Sequence, residues 1–115
     1  MTVILTQAGN YFFSQGSVTA VNEAISISRL NTWGTVAIQV TGTWAGTLTF
    51  EASIDGTNYV AAGVTPIAGG AVVTTTTANG IWWLQNNGYI TIRARFSTAT
   101  SGTVVLSLRY AGSQI

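Results

Sequence analysis

The sequence predicts a single all-β domain, an antiparallel β-sandwich of jelly-roll or immunoglobulin-like type, and three observations predict it. Apolar and polar residues alternate with period two in segment after segment, no segment carries a sustained 3.6-residue stripe, and turn residues separate the runs at short intervals. Abundant threonine agrees, because β-branched side chains suit a pleated, half-buried surface. At 115 residues the chain can bury one core without staples, and no linker or shift in composition divides it.

Taken in order, residues 1–33 offer short runs at 2–6, 10–14, 17–21 and 24–29, and are expected as strands or as an N-terminal arm. Tyr11, Phe12 and Phe13 are consecutive, so both faces of their strand are aromatic and neither can be left wet at low cost. Such a segment is either an interior strand or an arm that completes a neighbour's sheet or packs on a partner. The main sandwich is expected over 34–110. A run at 35–41 leads to a turn at Gly42 to Gly46, with Trp44 at the expected hairpin end. From Gly46 to Asp55, Leu48, Phe50, Ala52 and Ile54 point one way and Thr47, Thr49, Glu51 and Ser53 the other, a strand with one buried face.

Turns are expected at Asp55-Gly56, Gly69-Gly70, Asn86-Asn87-Gly88 and Ser101-Gly102, between weaker runs at 58–62, 70–76 and 80–85 and two strong ones. In the first strong run Ile90, Ile92, Ala94 and Phe96 alternate with Tyr89, Thr91, Arg93 and Arg95. In the second, Val104, Leu106, Leu108 and Tyr110 alternate with Thr103, Val105, Ser107 and Arg109.

Composition excludes much chemistry. There is no cysteine for a disulfide or thiolate site and no histidine for metal ligation or proton transfer near neutrality. Charged residues are 6% of the chain and the net charge is +1, without the clustered basic footprint of a nucleic-acid binder. Threonine, serine and glycine interrupt every apolar run before the roughly 18 residues of a membrane span. The start has no basic n-region, so no secretory signal is expected. A chain this poor in charge must either stay soluble through Thr, Ser, Asn, Gln and Gly or bury much of its surface in an assembly, and the second is the expectation.

Asp55 and Asn58 flank Gly56, which reads as a turn in which Asp-Gly supplies a positive φ. A metal would need several converging oxygens, and only Glu51 and Asn58 lie close in sequence. A glycosidase pair of Glu51 with Asp55 would place the Cα atoms roughly 13 Å apart along a strand, against about 5 to 9.5 Å between catalytic carboxyl groups. No catalytic residue, metal or cofactor is therefore expected.

Three features could carry binding. One of Trp82 and Trp83 must point inward and the other outward. The outward ring is either covered by protein or serves as a sugar platform with Gln85, Asn86 and Asn87, and Trp44 is open to the same two readings. If Phe96 and Val104 are partners across a hairpin at Ser101-Gly102, Arg93 faces Ser107 and Arg109 lies diagonal to Arg93. Arg93, Arg95 and Arg109 then share an outer face that is either solvated, with Glu51 as counter-charge, or a partner patch. The aromatic run Tyr11-Phe12-Phe13 is the third.

From about Gly34 to Tyr110, "GTVAIQVTGTWAGTLTFEASIDGTNYV" and "GYITIRARFSTATSGTVVLSLRYAG" resemble the small β-sandwich proteins of tailed-bacteriophage particles. The shared pattern is a Gly-Thr-Trp corner, an alternating strand ending in Ser-X-Asp-Gly, Gly-Tyr before an arginine-bearing strand, and Ser-Gly-Thr before the last. The resemblance implies a non-enzymatic virion protein, either a head-decoration (cement) protein bound to the major capsid protein on the outer surface of the capsid, or a tail- or baseplate-associated module that binds a host-surface glycan. A homo-oligomer, trimer or dimer, is expected in the first case.

Overall fold

The computed structural model describes residues 3–8, 11–28, 34–86 and 88–112, with backbone alone for 3–8, Tyr11 and Gly112. Its strands are β1 (Val3–Ala8), β2 (Tyr11–Val18), β3 (Ala24–Ser28), β4 (Gly34–Ser53), β5 (Val60–Ala61), β6 (Thr65–Pro66), β7 (Thr75–Thr76), β8 (Gly80–Asn86) and β9 (Thr91–Gly112). All pairings are antiparallel. The main path runs β1-β2-β9-β4-β8-β6, while β3 joins β9 and the short β5 and β7 join β4.

The organising element is the ladder between β4 and β9. It runs from Gly34 opposite Gly112 to Ser53 opposite Thr91, with register shifts at Ala45/Gly46 and Thr47/Leu48. A straight strand of 20 residues would span roughly 66 Å, yet the longest dimension of the molecule is 43 Å. The ribbon must bend. Its shifts lie beside Gly42, Gly46 and Gly102, all with positive φ (103°, 140° and 87°). The strands touch backbone to backbone there: a Cβ on Gly102 would meet the Thr43 carbonyl oxygen, and one on Gly46 the Thr98 carbonyl oxygen and the Phe96 ring. Trp44 clamps the corner, its ring edge-on to Phe96 at 5.8 Å and its Nε1 donating to Asn79 Oδ1 at 2.7 Å. Asn79 Nδ2 in turn donates to the Gly42 carbonyl at 3.0 Å.

Bending brings the two halves of the ribbon face to face. In one half β9 is flanked by β2 and β4 by β8; in the other β9 is flanked by β3 and β4 by β5 and β7. Even-numbered residues keep the inward position on both sides of the bend. Val36, Ile38, Val40, Leu48 and Phe50 of β4 and Ile92, Ala94, Phe96, Val104, Leu106, Leu108 and Tyr110 of β9 are all buried in one cluster with Val18, Ile25 and Ile27. Phe50 from one half lies 5.4 Å from Trp82 of the other, which closes the sandwich.

Two of the five expected turns are corrected. Gly42 to Gly46 and Ser101-Gly102 are bends inside continuous strands, because positive-φ glycines with a register shift redirect a ladder without ending it. The hairpin that would set Phe96 against Val104 does not form: Phe96 pairs with Leu48, and Val104 with Gly42. The runs expected at 10–14 and 17–21 merge into β2, which lies along β9 of its own chain, between β9 and β1. Ile54 and Ile90, expected inward, fall just beyond the strand ends and are exposed. The turn residue Asn87 lies outside the described residues.

The bend makes a specific demand on Gly46. Gly46→Ala combines a disfavoured backbone with overpacking against Thr98 and Phe96, whereas Gly70→Ala, at φ 115° with no atom within 4 Å, meets only the backbone term. Gly46→Ala is expected to lose at least about 1 kcal/mol more stability than Gly70→Ala. Urea denaturation of the two variants measures the difference, and equal losses would contradict the account of the corner.

Candidate functional site

The loop after β4 is built by one carboxylate. Asp55 Oδ1 accepts from the backbone amides of Thr57 and Asn58, both at 2.8 Å, and from Ser53 Oγ at 2.9 Å, while Oδ2 accepts from Asn58 Nδ2 at 2.8 Å. Gly56 takes φ 77°. This is an Asx-type turn in which Asp55 and Asn58 hold each other. The Asn58 amide and side chain, then Thr57 and Ser53, hold the Asp55 carboxyl far below the usual carboxylate range.

The loop carries Tyr59 over the outer face of the nearer half-sheet, where the Arg93 guanidinium stacks 3.6 Å from the ring centroid. Beneath it Glu51 receives Arg93 Nε at 2.7 Å, Arg95 Nε at 3.1 Å and Arg95 Nη2 at 3.0 Å, and Arg95 Nη1 also donates to Asn22 Oδ1. Burial alone would raise the Glu51 pKa, but hydrogen bonds from Arg95 and Arg93 and their charges outweigh it and lower the value. Arg93 and Arg95 are thus the two sides of a covered ion-pair network. Arg109 is not with them. It pairs with Ala37 and Phe13 in the other half-sheet, because β9 continues through the bend and does not return on itself. The shared arginine face is therefore corrected to two faces.

Beside the Asp55 loop lies a cleft of about 490 Å³, with buried Ala52 and Ala62 in its lining and Tyr89 on one wall. Ile54 and Val60 also line it and are 73% and 72% exposed. Val72, 63% exposed, lies against Gly63 of the lining, and the Ile90 side chain approaches Gly56. Ile54 and Val60 thus stand in water on the cleft itself, Val72 against its lining at Gly63, and Ile90 next in sequence to its wall residue Tyr89; Val21 and Ile67 are the other exposed aliphatic side chains among the described residues. Sequence reading missed this rim. Ile54 and Ile90 fit the inward phase of their strands and leave it only because the strands stop at Ser53 and start at Thr91. The neighbouring Asp55-Gly56 signal marked where the first of them ends.

The outer face of the farther half-sheet holds the remaining candidates. Trp82 is the inward tryptophan and Trp83, 41% exposed, the outward one. Gln85 faces out with Trp83, while Asn86 is buried and its Oδ1 accepts from the amides of Gly88 and Tyr89. Phe12 stacks on Tyr110 at 6.3 Å at the edge of the core, and Phe13 is half-buried on the outer side. Across four strands, Phe13, Arg109, Ala37 and Trp83 are direct register partners. Trp44 is at the corner, apart from this row. The side chain of Tyr11 lies outside the described residues. Among the described residues, no group of three or more His, Cys, Asp or Glu lies together in a way that would hold a metal ion.

The architecture is that of an all-β sandwich, and a solved structure shares it. A structure of the SPBc2 prophage-derived protein YomS is similar with a TM-score of 0.71 at 11% identity, over 92% of this chain and 99% of that one. A family 29 carbohydrate-binding module from Piromyces equi, CBM29_1, is more distant at a TM-score of 0.49 and 12% identity, over 96% of this chain and 76% of that one. At such identities the likeness is one of fold. No protein-family model and no curated protein matches the sequence.

The charge arrangement predicts a pH profile. Glu51, Asp55 and Glu23 are all lowered, Glu23 mainly by the amides of Thr19 and Ala20. A group whose folded-state pKa lies below its unfolded value stabilises the fold above that unfolded value and loses the contribution as pH falls through the folded one. With no histidine in the chain, the melting temperature is expected to be flat from about pH 5 to 8 and to fall below about pH 4.5. Glu51→Ala is expected to cost about 1–3 kcal/mol at neutral pH, less than a fully buried pair because the two arginine side chains are each 26% exposed. Melting curves across pH check both, and a midpoint unchanged at pH 3 would contradict the first.

Proposed function

We propose that the chain is a non-catalytic structural protein of a tailed-phage particle, a decoration or cement protein that seats on the major capsid protein at the outer surface of the head. The observation that carries this reading is the aliphatic rim of Ile54 and Val60 on the 490 Å³ cleft, with the exposed Val72 against its lining and Ile90 beside the Asp55 loop. Exposed apolar side chains gathered at one end of a domain mark a surface that another protein covers. The prophage-derived protein with the same fold supports the setting. Both carboxylates near the cleft serve structure, Asp55 in the loop and Glu51 in its ion pair, so neither is poised as an acid or base.

Attachment of this kind strengthens a shell by mass action. Binding energy gained only on the assembled lattice is lost when the lattice opens, so opening becomes harder. Self-association as a dimer or trimer places several rims on neighbouring capsid subunits at once, which raises the avidity of a modest single contact.

Ile54→Ser combined with Val72→Ser tests the reading. Each side chain is largely exposed, so the melting temperature is expected to stay within a few degrees of the parent. Burial of each in an interface contributes roughly 1.5–3 kcal/mol, so co-sedimentation with undecorated heads is expected to weaken at least about a hundredfold. Undiminished attachment of the folded double variant would overturn the proposal.

A further inference from the structure

We propose a second binding site, independent of capsid attachment: the outer face made by β2, the later half of β9, the first half of β4 and β8 holds a neutral saccharide chain lying across the strands. Two rows of register partners define the face. One is Phe13, Arg109, Ala37 and Trp83; the next is Gln15, Ser107, Gln39 and Ile81. Small residues at Ala37 and Ser107 leave a trough of about 180 Å³ between Phe13 on one side and Ile81 on the other, with Gln39 and Arg109 also in its lining. Trp83 stands beside Ala37, one strand farther on.

The trough is below the roughly 300–1,000 Å³ of sites that enclose a drug-sized ligand, so it takes one ring of a longer molecule. Phe13 and Trp83 are three inter-strand steps apart, about 14 Å. A linear oligosaccharide can therefore rest on both aromatic side chains and cross the polar strip between them.

The distribution of polarity selects the occupant. A protein interface places its apolar residues in the middle and polar groups at the rim. Here the order is largely reversed: Arg109, Ser107 and Gln39 hold three of the four middle positions beside Ala37, and Phe13, Trp83 and Ile81 hold three of the four flanking ones beside Gln15. Apolar ring faces at the sides with hydroxyl-matching donors and acceptors between them are the complement of a pyranose chain. The two rows carry no carboxylate, and their one cation, Arg109, is already engaged by a partner, so the groups left for a ligand are neutral donors and acceptors and the ligand chemistry is that of a neutral sugar. The platform is also preorganised. Gln15 Nε2 is already held by Ser107 Oγ at 2.9 Å, and Trp83 projects from β8, whose backbone pairs with both β4 and β6.

The experiment applies the purified full chain to an array of neutral and acidic bacterial-surface oligosaccharides, then titrates the tightest binder while following backbone-amide NMR shifts. The expected result is binding of at least one neutral oligosaccharide, with shifts concentrated at Phe13, Gln39, Ala37 and Trp83. Phe13→Ala and Trp83→Ala should each weaken binding about tenfold or more. Gln39→Ala, at an exposed position, should weaken it measurably without moving the melting temperature, and it carries the test if an aromatic variant fails to fold. A blank array, binding of acidic sugars alone, shifts centred on the Asp55 cleft, or indifference to all three substitutions would each overturn the proposal. Because the isolated chain is used, such a result leaves capsid attachment unaffected, and loss of capsid attachment in rim variants leaves this site standing.

Discussion

The antiparallel ladder between β4 and β9 positions everything else in the molecule, because it must bury the even-numbered side chains of both its halves and can do so only by folding over itself. Glycine at 42, 46 and 102 permits the fold: two backbones meet there at distances that a Cβ would forbid. Once the ribbon is bent, the remaining strands have one place each. β2 and β8 extend one half, β3, β5 and β7 the other, and the core between the halves is closed by contacts such as Phe50 with Trp82. The same bend decides which surface residues are neighbours. Arg93 and Arg95 meet Glu51 across the ladder in one half-sheet, while Arg109 stands with Phe13 and Trp83 in the other.

Scarcity of charge gives the surface its character. The chain has three acidic side chains, and each serves local structure: Glu23 caps the turn after β2 through Thr19 and Ala20, Asp55 shapes the loop after β4, and Glu51 neutralises two arginines. The exposed surface then includes an aliphatic group about the cleft and a face of amides, aromatics and the single cation Arg109 on the farther half-sheet. These are the two surfaces for which we propose contact, the first with apolar protein and the second with hydroxyl-rich chains.

Much of this was legible in the sequence. Period-two alternation identified most of the inward residues in the second half of β4 and in both halves of β9, adjacency required Trp82 and Trp83 to face opposite ways without saying which was inward, and Asp-Gly marked the turn at 55–56. The continuity of the ribbon was not legible, because a bend and a hairpin turn use the same local chemistry. Gly-Thr-Trp-Ala-Gly and Ser-Gly-Thr end a strand or redirect it according to what pairs with the residues beyond, and that is a long-range property. The arginine grouping was misread for this reason alone: a hairpin at Ser101-Gly102 would have placed Arg93 and Arg109 together, and a continuous strand separates them. The exposed rim was hidden for a related one, since alternation shows the phase of Ile54 and Ile90 but not where pairing stops.

The central claim is therefore that β4 and β9 form one bent ladder, and cross-strand backbone proton contacts measured by NMR test it most directly. The bent ladder predicts close contacts of Glu51 with Arg93 and of Ala37 with Arg109, on the two sides of the corner, and none between Phe96 and Val104 as cross-strand partners. Contacts pairing Phe96 with Val104 and Arg93 with Ser107 would show a hairpin at Ser101-Gly102, and would contradict both the fold and the division of surfaces that follows from it.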